Sequence, residues 1–505
     1  MRRLQQIAIA LLFVFLAAQA ALSLQWPIAH DEAPLFYEAF LMRAEGLVPY
    51  RDLFDFQMPG SFIAYFILGL LSGFDDLRIR ILDLVILAVL SIITYFAMRR
   101  FGKTSALAAP ILFGLEYLQG GPSMSLQREY LLLVFLALAV WVSIRGITTL
   151  KQRITLGLLF GLAAVIKPHA AIGLIPILLF DIADISKRSN ISLPRSAWTS
   201  LLPAALGFAV PILAVIAWLA FTNALTPFIS IAVNYWPLYS QINGAMELNT
   251  GSARWAFLFG QLPRLGGHWL WLIPALIGIY FHQHKQTWLL ASLALCYAIY
   301  PAFSGQFFSY HFIPFTYFII LLASITVEFP LSSSMRSVHP SRLVFIFQLS
   351  SLILVLSLLL PSRTFIRQLQ GKPVATSTDR AGEIARFLDA NLQPGDTVQP
   401  LDWTGGTLLA MLESRSRIAT PYVFDFYFYH HVSHPYIQSL RADFMTDLQS
   451  ANPRFIVEVT AEDKPWVSGV DASRSFPELR LYLNENYSVT IQKDGYVIYE
   501  LNEDP

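Results

Sequence analysis

Four short polar groups, set among long apolar runs, hold the residues whose types and spacing could do chemistry. The first is His30-Asp31-Glu32, followed by Tyr50-Arg51-Asp52-Leu53-Phe54-Asp55-Phe56-Gln57-Met58-Pro59-Gly60. A carboxylate such as Asp31 can serve as a general base and take the proton of an attacking hydroxyl. Asp31 can equally cap the helix that follows, a common task for Asp. The second group is Ser125-Leu126-Gln127-Arg128-Glu129. Arg128 and Glu129 suit a phosphate or sugar contact, or an interfacial anchor with a first-turn Glu favoured by the helix dipole. The third is Lys167-Pro168-His169. Lys167 can neutralise a lipid phosphate, because ionisable residues at membrane depth are functional candidates, or it can snorkel to the headgroups. The fourth is Gly305-Gln306-Phe307-Phe308-Ser309-Tyr310-His311. Tyr310 and His311 can bind a phosphate or hydroxyls. An aromatic belt accounts for Tyr310 and the phenylalanines as well, but not for His311.

Other chemistries leave no trace. There is no phosphate-cradling Gly-rich loop with Lys, no His-Glu-x-x-His and no Gly-x-Ser-x-Gly. His282-Gln283-His284 reads as part of a polar loop. The single cysteine, Cys296, lies in an apolar run and can form neither an internal disulfide nor a thiolate metal site. A net charge of +1 and the lack of a basic stripe interleaved with aromatics exclude a nucleic-acid partner.

The elements that must position these groups are membrane spans. Charged residues make up 14% of the chain, against about 25% in a soluble domain, and the deficit lies between residues 5 and 360. A span takes roughly 20 apolar residues. Candidates are 5–24, 80–98, 104–119, 129–145, 154–166, 168–180, 200–221, 268–281, 287–303, 310–328 and 342–360, with 59–74 as a twelfth. If 59–74 crosses, the clusters Arg99-Arg100-Lys103, Arg145-Lys151-Arg153 and Lys187-Arg188-Arg195 fall outside. If it lies in the outer interface as its Pro59-Gly60-Ser61 start suits, those clusters fall inside with Arg2, Arg3, Lys285, Arg336 and Arg342. The expectation is eleven crossings, an N-terminus inside and a C-terminus outside. The stretch from Met1-Arg2-Arg3 to Leu24 is longer than a typical signal-peptide core and reads as an uncleaved first helix. The pair 154–166 and 168–180, divided at Lys167-Pro168, is either two spans or one broken helix.

This orientation puts loops 25–79, 120–128, 222–267 and 304–309 outside, with all four polar groups. Between Pro34 and Gly46 the pattern predicts an amphipathic surface helix, with Phe36, Ala39, Phe40 and Leu47 on one face and Glu38 and Glu45 on the other. Residues 361–505 read as a separate small α/β domain. Helices are expected over Thr378 to Leu392, Tyr436 to Ser450 and Phe476 to Asn486, and strands over Thr397 to Leu401 and Phe455 to Val459. Tyr487 to Ile491 and Tyr496 to Leu501 form a hairpin turning at Lys493-Asp494-Gly495. The tail has no motif of its own and reads as a lid or acceptor-side module.

The layout resembles the GT-C superfamily of membrane glycosyltransferases, in particular bacterial relatives of protein O-mannosyltransferases and of the lipid A aminoarabinose transferase. The resemblance rests on the first span followed by Asp31-Glu32, the Tyr50-Arg51-Asp52 to Pro59-Gly60 segment before an interfacial helix, Gly102 before the span 104–119, Lys167-Pro168, and an outer α/β tail. It implies a mainly α polytopic fold of the cytoplasmic (inner) membrane, with a transmembrane domain over 1–360, a catalytic loop over 25–79 and an extracytoplasmic domain over 361–505. It implies transfer of a sugar from a polyprenyl-phosphate donor to a hydroxyl of a lipid, glycan or protein acceptor, with inversion. Asp31 would be the base, beside Glu32. Arg51, Asp52, Asp55, Arg128, Glu129, Lys167, His169, Tyr310 and His311 would contact substrate. No cofactor is required by such relatives, although Asp31, Asp52 and Asp55 could hold a divalent ion through oxygen. Gln57-Met58 departs from the family pattern, standing where a basic residue is common. A transporter or flippase of lipid-linked sugars is the rival reading. It is disfavoured because no paired internal repeat is visible and the polar residues cluster at one surface rather than at the midplane. A sensory membrane protein would explain the tail but not the Asp31 and Asp55 loop.

Overall fold

The computed structural model describes residues 2–245, 247–328, 363–372, 376–460 and 467–502. The expected span 342–360, with Arg336 and Arg342, lies outside them. In chain order the first helices are α1 (Arg2–Ser23), α2 (Glu32–Ala44), α3 (Pro59–Ser72), α4 (Asp76–Met98), α5 (Lys103–Gln119), α6 (Arg128–Ile144), α7 (Leu150–Ile166) and α8 (Leu174–Ser189). They are followed by α9 (Leu193–Phe221), α10 (Leu225–Asn234), α11 (Trp236–Tyr239), α12 (Gly251–Gln261), α13 (Leu272–Phe281), α14 (Lys285–Ser304) and α15 (Ile313–Ile325). The chain forms two compact units: Met1–Gln25, Arg80–Val215 and Phe259–Gln370 in the first, and Trp26–Ile79, Ile216–Leu258 and Gly371–Pro505 in the second.

The first unit is a helical bundle. Among the described residues, five helical stretches are long and apolar enough to cross a membrane: Gln6–Ser23, Asp76–Phe101, Pro168–Ser189, Leu193–Phe221 and Lys285–Ser304. Shorter apolar helices include Pro59–Ser72 and Ser309–Ile325. Along α4, Ile81, Val85, Val89, Ile92 and Phe96 are exposed at spacings of three and four residues, while Leu87, Leu90, Thr94 and Ala97 are buried. One apolar stripe thus faces outward and another packs inward, as a helix with lipid on one side requires. The chain is a multi-pass membrane protein.

Local chemistry sets where these helices stop. Thr149 and Gln152 form a capping box at the start of α7. At its end Pro168 forces Lys167 into an extended conformation (φ −146°, ψ 110°). A 3-10 segment, Pro168–Gly173, then leads into α8. Arg153 near the start of α7 pairs with Asp181 midway along α8 at 2.7 Å, so the chain reverses at Lys167 and the two apolar halves are separate helices. Ser200 of α9 donates to the same Asp181 at 2.7 Å. Next to this buried pair, α7 and α9 touch backbone to backbone. A Cβ on Gly157 would overlap the carbonyl oxygen of Ala204, one on Gly207 that of Ile154, and one on Gly161 would come within 2.6 Å of the Phe208 oxygen. Small residues at such a seam let dispersion forces hold helices that gain nothing from the hydrophobic effect in lipid.

In the second unit the tail carries a five-stranded sheet of β2 (Thr397–Leu401), β3 (Arg417–Ile418), β4 (Phe455–Val459), β6 (Tyr487–Lys493) and β7 (Tyr496–Leu501), in the order β3-β2-β4-β7-β6. β2 runs parallel to β3 and β4, while β7 is antiparallel to β4 and β6. Gly495 (φ 87°) turns the β6–β7 hairpin where the sequence places it. The helices Thr376–Asn391, Pro435–Ala451 and Pro477–Asn486 match the expected ones, and a short helix, Thr407–Glu413, is added. The small pair β1 (Glu247–Leu248) and β5 (Ser468–Gly469) ties the 216–258 stretch to the tail.

The first loop folds together with the tail. Phe54 N–H donates to Pro421 O at 2.8 Å, Tyr37 donates to Ser416 O at 2.9 Å, and Arg417 pairs with Glu45 at 3.0 Å. Phe54 and Phe56 lie among Tyr235, Tyr239, Tyr422 and Tyr427, with ring centroids 4.1–6.0 Å apart. This corrects the expected surface helix. α2 is buried on all sides from Glu32 to Leu41, and Glu38 has no exposed surface, because tail and loop cover the face that periodicity assigned to water. α3 packs on α2 through Phe36 and Tyr65, 5.0 Å apart, and leaves Ile67, Leu70 and Leu71 exposed.

Replacing Gly157 or Gly207 with leucine should part α7 from α9 and destabilise the protein by about 1–3 kcal/mol. A lowered midpoint of thermal unfolding in detergent is expected, while leucine at Gly260, which has open space around it, should leave the midpoint unchanged.

Candidate functional sites

The first unit brings together candidates that are far apart in sequence. Glu129, in the first turn of α6, is fully buried. Lys167, at the α7 turn, places its Nζ 2.9 Å from Glu129 Oε1. His311, just before α15, has its Nε2 3.5 Å from the same oxygen and 3.4 Å from Lys167 Nζ. Tyr300, near the end of α14, donates to Glu129 at 3.3 Å. His169 stacks on Phe303 at 5.4 Å and lies 6.2 Å from Tyr300, and Tyr310 packs edge-on to His311 at 4.7 Å. Arg128 is 5% exposed. The starts of α6 and α15 and the ends of α7 and α14 thus meet at one end of the bundle.

Lys167 does not snorkel: its side chain is 17% exposed and held by a buried carboxylate. Arg128 and Glu129 are too buried for an interfacial anchor. Lys167 and Glu129 form a buried ion pair, Arg128 beside Glu129 is buried as well, and the N-terminus of α6 adds a partial positive charge. Lys167, Arg128 and the α6 N-terminus are groups of the kind that hold an anion.

A second buried polar network lies at the same end. Asp83 of α4 accepts from Tyr117 at 2.7 Å and from Ser125 at 2.6 Å, and Arg80 donates to Ser125 and stands 3.8 Å from Asp83. Tyr130 donates to Asp83 O at 3.3 Å. Sequence reading missed Arg80 and Asp83, although two charges at i, i+3 inside an apolar run are a signal for buried polar function. Tyr300 carries no such signal, being one aromatic among many.

The second unit holds the first-loop candidates. Asp31 occupies the N-cap position of α2, yet its side chain makes no capping hydrogen bond. Its Oδ1 lies instead 3.0 Å from His30 Nδ1. Glu32 is buried and accepts the Ala29 N–H at 3.3 Å. Asp55, also buried, accepts the Gln57 N–H at 2.7 Å. Arg51 and Asp52 form a surface pair at 2.7 Å, and Asp52 also accepts the Val48 N–H at 2.8 Å. The Arg51 guanidinium holds the Asp52 carboxyl below the usual range, which suits a pair that shapes the turn. Burial and the charges of Asp55 and Glu38 push the Tyr427 phenol well up, so it stays protonated and donates to Phe54 O at 3.0 Å. Among the described residues no three His, Cys, Asp or Glu side chains converge as a metal site.

The fold is that of the GT-C membrane glycosyltransferases, in keeping with the resemblance read from sequence. Residues 59–218 match the dolichyl-phosphate-mannose-protein mannosyltransferase family, a stretch that includes Arg80, Asp83, Arg128, Glu129, Lys167 and His169. Over nearly its full length the chain is similar to crystal structures of ArnT from Cupriavidus metallidurans. The apo structure aligns with a TM-score of 0.60 at 13% identity, covering 97% of each chain. The structure bound to undecaprenyl phosphate aligns at 0.59 and 14% identity, covering 98% of this chain and 97% of that one. No curated protein matches the sequence.

Removing one member of a buried ion pair strands the other in low dielectric. Lys167→Met should destabilise the protein by about 3 kcal/mol, and the double variant Glu129→Leu, Lys167→Met should recover most of that loss. Equilibrium unfolding of the two single variants and the double variant in detergent checks this.

Proposed function

We propose that the protein moves a sugar from a polyprenyl-phosphate carrier to a hydroxyl of an envelope acceptor at the outer face of the cytoplasmic membrane, inverting the anomeric carbon. The observation that carries this reading is the buried Arg128–Glu129–Lys167–His311 cluster of ionisable side chains at the ends of apolar helices. A phosphate carried on a membrane-embedded lipid arrives at that depth. The matched mannosyltransferase stretch supports it, as does the shared fold with ArnT, which has been crystallised with undecaprenyl phosphate. The charge pattern supports the orientation, since the basic loop clusters fall on the side opposite these helix ends.

In this reaction the acceptor hydroxyl gives up its proton to a base, with Asp31 in that role. Its oxygen bonds to the anomeric carbon as the bond to the phosphate oxygen breaks on the opposite face. Polyprenyl phosphate leaves with the electron pair. Lys167 and Arg128 are preorganised for the charge that develops on the leaving phosphate. His169, Tyr310 and His311 line the same cluster and suit hydroxyl and phosphate contacts. Glu32, Asp55, Arg51 and Asp52 shape the loop that carries Asp31.

Full-length protein in proteoliposomes, given undecaprenyl-phosphate hexoses and pentoses with native envelope extract as acceptor, should release free undecaprenyl phosphate. Asp31→Asn should lower that release by on the order of 10²–10⁴-fold without changing the unfolding midpoint. Full turnover in Asp31→Asn would remove Asp31 from the chemistry, and lipid movement between leaflets with no new glycosidic bond would favour a flippase.

A further inference from the structure

The buried Glu129 carboxylate is engaged on one oxygen. Lys167 Nζ at 2.9 Å, the Tyr300 hydroxyl at 3.3 Å and His311 Nε2 at 3.5 Å all meet Oε1. Oε2 is buried with the rest of the side chain and accepts no hydrogen bond among the described residues. A carboxylate can accept on both oxygens. Leaving one of them buried without a donor costs free energy, so such an atom in a folded protein calls for a partner.

Two residues in the loops that supply the cluster repeat the pattern. Gln127, the N-cap residue of α6, has no exposed surface. Its amide nitrogen donates to Ser123 O at 2.9 Å, while its Oε1 accepts from nothing among the described residues. Gln306, in the loop that leads to His311, is 4% exposed, and its Nε2 donates to nothing among them. Both loops are held at a cost, with Leu126 (φ 47°) and Phe307 (φ 52°) in the left-handed region. The orphaned atoms on Glu129 and Gln127 are acceptors. A phosphate dianion offers only oxygens and cannot satisfy them. A hydroxyl can, because it donates one hydrogen bond and accepts others. The chemistry left over beside the cations is therefore that of a polyol, and a sugar joined to a phosphate carries both.

We propose that Glu129 Oε2 accepts a hydrogen bond from a hydroxyl of the sugar on the polyprenyl-phosphate donor, and so selects which sugar is transferred. This rests on the glycosyltransferase reading and adds a specificity-determining residue to it. The division of labour follows from charge. Lys167 and Arg128 suit the phosphate, whereas a carboxylate oxygen turned toward a phosphate would repel it. A sugar hydroxyl faces that oxygen instead, and hydrogen bonds to a charged acceptor are among the strong ones. Because Lys167 bonds Oε1 of the same carboxylate, phosphate and sugar are read by one ion pair. A donor that lacks the hydroxyl leaves a buried charge with an unmade bond, the defect by which a site rejects a close analogue most strongly. Gln127 Oε1 and Gln306 Nε2 are the next candidates for hydroxyls of the same ring.

Binding to the full-length protein in lipid nanodiscs tests this. The probes are undecaprenyl phosphate, undecaprenyl-phosphate hexoses and pentoses, and deoxy analogues of whichever sugar binds best, each lacking one hydroxyl. Wild type should bind that sugar-bearing lipid more tightly than bare undecaprenyl phosphate, and one deoxy analogue should bind about 10–100-fold more weakly than its parent. This arm needs no variant to fold. Glu129→Gln should lose most of the discrimination between parent and deoxy analogue. The same variant should bind bare undecaprenyl phosphate several-fold more tightly, because a negative charge beside the phosphate is gone. A merely structural role for Glu129 would weaken binding of all these lipids together. Equal affinity of wild type for parent and every deoxy analogue, or undiminished discrimination in Glu129→Gln, would overturn the proposal and leave the lipid-phosphate reading standing. Failure of wild type to bind any of the lipids would overturn the glycosyltransferase reading, and this proposal with it.

Discussion

A carboxylate and an ammonium held 2.9 Å apart at the end of a helical bundle set the main constraint on this protein. Taking two charges out of water costs several kcal/mol per ion, and their attraction offsets that only where geometry and further hydrogen bonds are good. Tyr300 and His311 add contacts to the same Glu129 oxygen, Oε1, that Lys167 meets. A well-packed apolar core would be as stable, so stability alone does not explain the cluster. Its basic members, Lys167 and Arg128, are of the kind that meets a phosphate that comes and goes.

That cluster depends on backbone features that look unremarkable one by one. Pro168 stops α7 and turns Lys167 toward α6. The capping box at Thr149 sets where α7 begins, and the glycine seam with α9 fixes its depth and rotation. At the other end of the same helices, Asp181 gathers Arg153 and Ser200. α7 is thus held by buried polar contacts at both ends, with small residues in contact between them. The second unit is built differently. Its first loop has little regular structure after α2 and is held by rings: Phe54 and Phe56 are gripped by tyrosines from two other stretches of chain. The grip seats the loop against the tail, where His30 and Trp403 line one cleft.

Much of this was legible in the sequence because it is local. Apolar runs located the helices, Pro59 and Pro168 their boundaries, and alternating residues the strands Thr397–Leu401 and Phe455–Val459. The four polar groups were legible as groups, since a charge in an apolar run stands out. Their meeting was not, because Glu129, Lys167 and His311 are joined only by tertiary packing. The same limit explains the error at α2, whose 3.6-residue pattern was read correctly while its environment was not. Glu38 lies on what looks like a wet face, and only the folded tail shows that face to be covered. Thr407–Glu413 and Arg417–Ile418 were passed over because seven and two residues are too few to show a period.

The central claim, that the charged cluster receives a lipid phosphate, is tested most directly by an electron cryo-microscopy structure of the full-length protein with undecaprenyl phosphate bound. The phosphate should lie within hydrogen-bond distance, about 3 Å, of Lys167 Nζ or the Arg128 guanidinium, with Glu129 still paired to the cluster. A phosphate seated elsewhere, with the Arg128–Glu129–Lys167–His311 group untouched, would contradict it.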